Sequence, residues 1–214
     1  DIFRNGPAPG VDTPLVVQVS RWDVMKDMEG VMHGFAQYVD SGRDAHLVLA
    51  GPAVTAVADD PEGGQVLQQC WEAWRGLPHV VRHRVQLTCV PMHDIDENAV
   101  IVNALQRHAR VLVQKSIAEG FGLTVAEGML KGRPVVASAV GGLVDQVVDG
   151  ETGYLVRDPL DLAEYGGHVA ALLDDPARAL EMGEAGRQRA IDTHLGDTQL
   201  QKWLGVLQRL SALD

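Results

Sequence analysis

Two cations, Arg21 and Lys26, stand close together in the stretch "SRWDVMKD", and two carboxylates, Glu119 and Glu127, flank a glycine-bearing turn in "SIAEGFGLTVAEG". A guanidinium forks onto two phosphate oxygens, and a lysine ammonium adds a compact point charge. Gly120 and Gly122 let backbone approach a ligand closely, and a helix opening at about Gly122 would aim unpaired N–H groups and the positive end of its dipole at an anion. A carboxylate accepts hydrogen bonds from neighbouring hydroxyls, which suits a sugar or a ribose diol. Glu127 lies about five residues into that helix, roughly 7–8 Å along its axis at 1.5 Å per residue. The two acids therefore fit opposite ends of an elongated ligand, with phosphates between them. On spacing alone the plainer reading is stronger: Arg21 and Lys26 as loop-surface charges, Glu119 as a solvated loop acid and Glu127 as a helix-surface acid. Convergence of the two stretches in one cleft favours the site reading for the two cations; for the two acids the plainer reading stands on spacing.

The elements that bring them together are readable as a pattern. "LVVQVS" (15–20), "HLVLAG" (46–51), "RVQLTCV" (84–90), "RVLVQKS" (110–116), "PVVAS" (134–138) and "GYLV" (153–156) read as six strands. Amphipathic stretches near 28–39, 64–75, 97–109 and 123–131 read as crossover helices. Continuous apolar strands alternating with helices predict a Rossmann-like, doubly wound parallel α/β sheet with helices on both faces. In the order 3-2-1-4-5-6, the loops after strands one and four face each other across the crevice where strand order reverses, and these loops carry the two stretches. The sheet core is expected over about 14–158. A helical tail over about 159–214 follows, the whole chain forming a single domain. The last helix, near 198–210, sets Leu200, Trp203, Leu204, Leu207 and Leu210 on one stripe, which is expected to pack on the domain's own core rather than on a second domain. The loop 52–64 is longer than the topology needs and reads either as functional or as a solvated excursion.

The 214 residues suffice for a sizeable core, and 46% hydrophobic with 22% charged residues is ordinary for a folded soluble protein. A net charge of −11, spread along the chain, argues against nucleic acid or an anionic membrane as partner. Cys70 and Cys89 lack metal-type spacing and read as reduced core thiols of a cytoplasmic protein. No apolar run reaches transmembrane length, and the start is neither a signal peptide nor an initiator Met, so a cut or processed fragment is expected. In "MHDIDEN", the spacing from Asp94 to Glu97 reads as a helix cap rather than a metal site, and its backbone near 90–93 is a candidate nucleobase contact. His79 and His83 lack a third ligand and read as surface histidines. The pair Gly141–Gly142 suits a tight turn or the lining of a cleft. Strand one is not followed by G-x-G-x-x-G, which disfavours a dinucleotide cofactor.

The block "VNALQRHARVLVQKSIAEGFGLTVAEGMLKGRPVVASAVGGLVDQVVDGETGYLV", with "DPEGGQVL" and "SRWDVMKD" upstream, resembles the retaining glycosyltransferases of GT-B architecture. Within the sucrose-synthase-like family it is most similar to the trehalose synthase and trehalose phosphorylase branch. The resemblance runs from about 15 to 156. It implies one half of a GT-B fold, binding a nucleoside diphosphate glucose, with trehalose the product class. Arg21 and Lys26 would bind the diphosphate and support its departure. Glu119 would hold hexose hydroxyls, Gly120, Phe121, Gly122 and Leu123 would present backbone to sugar and phosphate, and Glu127 would bind the ribose. No cofactor and no essential metal are implied, and the mechanism is a front-face displacement rather than a glycosidase-type carboxylate pair. Glucose 1-phosphate would replace the nucleotide in a phosphorylase. A non-catalytic nucleotide-binding module and a sugar-nucleotide epimerase are the other readings. The resemblance reaches only the donor-binding half, so an N-terminal acceptor domain is expected to be missing and the isolated chain to be inactive. Many relatives carry Glu where Asp145 stands, which leaves that loop a supporting role.

Overall fold

A computed structural model describes residues 1–39, 42–54 and 61–211. Its sheet has seven strands: β1 (Ile2–Phe3), β2 (Leu15–Val19), β3 (His46–Pro52), β4 (Val85–Val90), β5 (Ala109–Gln114), β6 (Val135–Ser138) and β7 (Tyr154–Val156). The spatial order is β1-β4-β3-β2-β5-β6-β7. The six strands expected from the sequence are all present, parallel, and in the expected order, with the reversal between β2 and β5. A seventh strand joins them. Ile2 and Phe3 pair antiparallel with Thr88 and Leu87, adding a two-residue strand at the edge of β4. A stretch that short has no periodicity of its own, and only its neighbour makes it a strand.

Helices α1 (Met28–Gly34), α2 (Pro61–Gly76), α3 (His79–Arg82), α4 (Ile95–His108), α5 (Leu123–Leu130), α6 (Leu143–Gln146), α7 (Leu162–Asp174), α8 (Pro176–His194) and α9 (Gly196–Ser211) complete the described chain, with a single π turn, Phe35–Val39, extending α1. Alternation along the strands divides the core in two. Val16, Leu47, Leu49, Val111 and Val113 face one side with the apolar residues of α1, α2 and α7. Leu15, Val17, Val48, Ala50 and Leu112 face the other, with Val125 and Met129 of α5. A side-chain period of two produces this split, and burial on both faces is why the strands read as unbroken apolar runs. Asp94 caps α4 as expected, its Oδ1 accepting from the N–H groups of Asp96 and Glu97.

The stripe of α9 overturns an expectation. Leu200, Leu204, Leu207, Leu210 and Trp203 are all exposed, Trp203 at 64%. The neighbouring α8 buries Ala179, Met182, Gly183, Gly186 and Ala190 instead. Small residues let α8 approach the body of the fold closely, while the stripe of α9 stays open to solvent. The loop expected over 52–64 is shortened by α2, which begins at Pro61, and its middle, 55–60, lies outside the described residues. Both cysteines are free and buried, and burial pushes the Cys70 thiol up to about 12 and raises that of Cys89.

Candidate functional site

The strand order puts the loops after β2 and β5 side by side at the carboxyl edge of the sheet, and an open cleft of about 360 Å³ lies between them. Arg21, Lys26, Glu119, Phe121, Gly122 and Leu123 all line it. In the loop after β2, Trp22 is the anchor. Its ring is 1% exposed and packed against Gly51, and its Nε1 donates to the Pro52 carbonyl at 2.9 Å. Arg21, the preceding residue, points outward with 68% of its side chain exposed and pairs with Asp23 Oδ2 at 2.8 Å. Asp23 also accepts from the Met25 N–H, shaping the 3-10 turn Val24–Lys26 that delivers Lys26 to the cleft.

Lys26 does not stand apart from Glu119. Its Nζ donates to Glu119 Oε2 at 2.6 Å, and the two side chains are only 14% and 11% exposed. The same carboxylate oxygen accepts from Gln114 Nε2 and Ser116 Oγ, each at 3.3 Å. Gln114 is held in turn by Thr124, whose hydroxyl donates to its Oε1 at 2.8 Å. Across the loop, Gln18 Nε2 donates to the Lys26 carbonyl at 2.8 Å while Gln18 Oε1 accepts from the Lys115 N–H at 3.1 Å. Gln18 and Gln114 lie in or at the end of apolar strands and are buried. A buried polar group needs partners, and these two find them by fixing the functional loops. Sequence reading passed over both; the available signal was a glutamine near the carboxyl end of an otherwise apolar parallel strand.

Helix α5 begins at Gly122, which has φ +87°, and no side chain caps it. Its first N–H groups therefore lack intrahelical partners at the floor of the cleft. The turn is braced by the loop after β6. Gly142 N–H donates to the Gly120 carbonyl at 3.1 Å, and Gln146 Nε2 donates to the Phe121 carbonyl. Gly141, at φ +50°, lies so close that a Cβ there would sit 1.6 Å from the Glu119 carbonyl oxygen. The glycine pair thus serves as a tight turn and a buttress at once.

Glu127 is placed differently. It is exposed on α5, accepts from Gln106 Nε2 at 2.9 Å, and does not line the cleft. Gly120 contributes its carbonyl to the bracing rather than to the lining. A second, mostly apolar cleft of about 200 Å³ shares Val19, Ser20 and Arg21 with the first and continues to Gly51, Val90 and Met92. His79 is exposed and His83 makes a 2.8 Å contact from Nδ1 to the Asn5 carbonyl. Among the described residues no group of three His, Cys, Asp or Glu is placed to hold a metal ion, and no helix is long and apolar enough to cross a membrane.

The family model described as "Glycosyl transferases group 1" matches residues 1–189. The chain belongs to that family. It is 35% identical to a trehalose synthase of Pyrococcus horikoshii over 199 residues, which cover 93% of this chain and 45% of that protein. A trehalose synthase of Rubrobacter xylanophilus is 38% identical over 207 residues, covering 94% of this chain and 44% of the relative. Among solved structures, a sucrose-phosphate synthase from Thermosynechococcus elongatus superposes with a TM-score of 0.73 at 29% identity, over 96% of this chain and 47% of its own. The glycosyltransferase chain thus spans a little under half the length of these relatives and forms a Rossmann-like half of a GT-B fold.

Proposed function

We propose that this chain is the donor-binding half of a retaining glycosyltransferase, transferring glucose from a nucleoside diphosphate glucose to an acceptor, with trehalose as the product class. The observation that carries the reading is the contact of Lys26 with Glu119 at the uncapped start of α5. A cation, an acid and a helix N-terminus meet where a diphosphate and a hexose would meet. The names of the two trehalose synthases support the product class.

On this reading the ion pair is exchanged when donor binds. The diphosphate, lying over the N–H groups of α5, draws the Lys26 ammonium onto itself, and Arg21 swings from its exposed position beside Asp23 to fork onto the same phosphates. Glu119, relieved of its cation, accepts from hexose hydroxyls while Gln114 and Ser116 hold it in place. The apolar cleft beyond Ser20 takes the nucleobase, and Glu127 takes the ribose from the exposed face of α5. In the displacement the bond from the anomeric carbon to the phosphate oxygen breaks. A bond to the acceptor oxygen forms on the same face, and the acceptor proton passes to the departing phosphate. Lys26, Arg21 and the helix start stabilise that phosphate, the part a metal takes in other transferases. The acceptor is held by chain outside these residues.

Calorimetric titration with UDP, ADP and GDP, each with and without glucose attached, and with glucose 1-phosphate, tests this. Nucleoside diphosphate binding that weakens on Glu127→Ala is the expected result and identifies the base. Binding of glucose 1-phosphate alone would replace the reading with a phosphorylase. Nucleotide conversion without any acceptor would replace it with an epimerase.

A further inference from the structure

Among the described residues, Lys115 is a fully buried charged side chain that the donor reading leaves unused. It follows β5 directly, its side chain is fully buried, and its ammonium reaches Asp27 Oδ2 and, at 2.6 Å, the Pro159 carbonyl. Asp27 follows Lys26 directly. It closes the 3-10 turn and opens α1 at the same time, accepting from the Gly30 N–H with its other oxygen. Among the described residues it is the one non-glycine with positive φ, at 45°.

Burying an ammonium is unfavourable unless it is paired, and an L-residue in the left-handed region is strained. Both costs fall at one contact, and an apolar side chain with a glycine partner would avoid both. What the contact achieves is connection. Asp27 is the neighbour of Lys26. Lys115 stands between Gln114 and Ser116, the two residues that hold Glu119. The pair therefore ties the backbone carrying the cleft cation to the backbone carrying the holders of the cleft acid, and Pro159 adds the loop after β7.

We propose that Lys115 and Asp27 are positioning residues for the donor cleft: their buried ion pair fixes the separation between Lys26 and Glu119, and so sets affinity for the diphosphate portion of the donor. This rests on the reading of the cleft as a donor site. The pair touches no ligand. Its effect passes through the placement of Lys26, so it bears on the phosphates and leaves the nucleobase end alone.

The test uses the 214-residue chain as wild type, Lys115→Met, and the double variant Lys115→Met/Asp27→Asn. Asn tolerates positive φ and keeps the cap on Gly30, so the double variant leaves no charge buried without a partner and keeps the fold. Each is titrated with whichever of UDP, ADP and GDP the wild type binds tightest, and with the matching nucleoside, alongside thermal unfolding. Expected is a loss of about tenfold or more in diphosphate affinity in the double variant, the size of one lost charge-assisted contact, with nucleoside affinity unchanged. Wild-type affinity for both ligands, with only the melting temperature altered, would make the pair structural and overturn the proposal. Equal losses for both ligands would do the same, as general damage. A wild type that binds no nucleoside diphosphate would overturn the donor reading, and this inference with it.

Discussion

Among the described residues, two lysine–carboxylate pairs join the same two loops, and they differ in what surrounds them. Lys26–Glu119 spans 93 residues of sequence and lies at the edge of an open cleft, with both side chains slightly exposed. Lys115–Asp27 spans 88 residues, and its lysine is at 0% exposure while Asp27 is 17% exposed. Identical chemistry serves different ends. A lysine beside water and empty volume is available to a competing anion, whereas one without access can only hold.

Breaking the pair of the buried lysine should have the largest consequence for stability. Lys115→Met leaves Asp27 without its cation, and we expect a loss of about 3 kcal/mol by chemical denaturation, the low end for a broken buried pair. A loss as small as that of a surface bridge would erase the distinction. Lys26→Met should do the reverse. Glu119 keeps Gln114 and Ser116 and borders the open cleft, so stability should fall by less than in Lys115→Met, while nucleoside diphosphate affinity falls roughly ten- to a hundredfold. The contrast fails if calorimetry finds that affinity intact. Glu127→Gln removes charge from a residue in neither pair. It should weaken nucleotide binding by roughly threefold to tenfold and leave glucose 1-phosphate untouched.

The smallest effect is a pH slope that belongs to neither pair. Burial lowers the pKa of His46 below its ordinary 6.5, against the opposing pull of Asp44. The folded state favours neutral imidazole, so below 6.5 the unfolded chain binds more protons. The contribution of His46 is full above that value and is lost as pH falls through the folded pKa. Melting temperatures from pH 8 to 5 should decline less in His46→Gln than in wild type. An unchanged slope would show that His46 does not carry the acid-side loss.

Much of this frame was legible beforehand. Six strands and their order follow from unbroken apolar runs separated by crossover helices, because parallel connections permit few arrangements. Convergence of Arg21, Lys26 and Glu119 on one cleft follows from that order. Direct contact between Lys26 and Glu119 does not follow, since it depends on how a 3-10 turn orients one side chain. Lys115 reads as an ordinary strand-end lysine; nothing local marks it as buried, because its partner lies far away in sequence. The stripe of α9 was readable as apolar, but its burial was not, since a helix pattern names no partner. The edge strand β1 exists only through Thr88 and Leu87.

The bond from Gly142 to Gly120 carries a consequence for how the cleft assembles in time. It closes a segment of 22 residues, against 88 for Lys115–Asp27. Two doublings of loop length cost about 1.2 kcal/mol more in closure entropy. The turn that opens α5 should therefore be built and braced early in refolding, with the loop carrying Lys26 docking onto it afterwards. Pulse-labelled hydrogen exchange would register that order as protection of the Gly142 amide before that of Ile117, which bonds the Met25 carbonyl across the two loops.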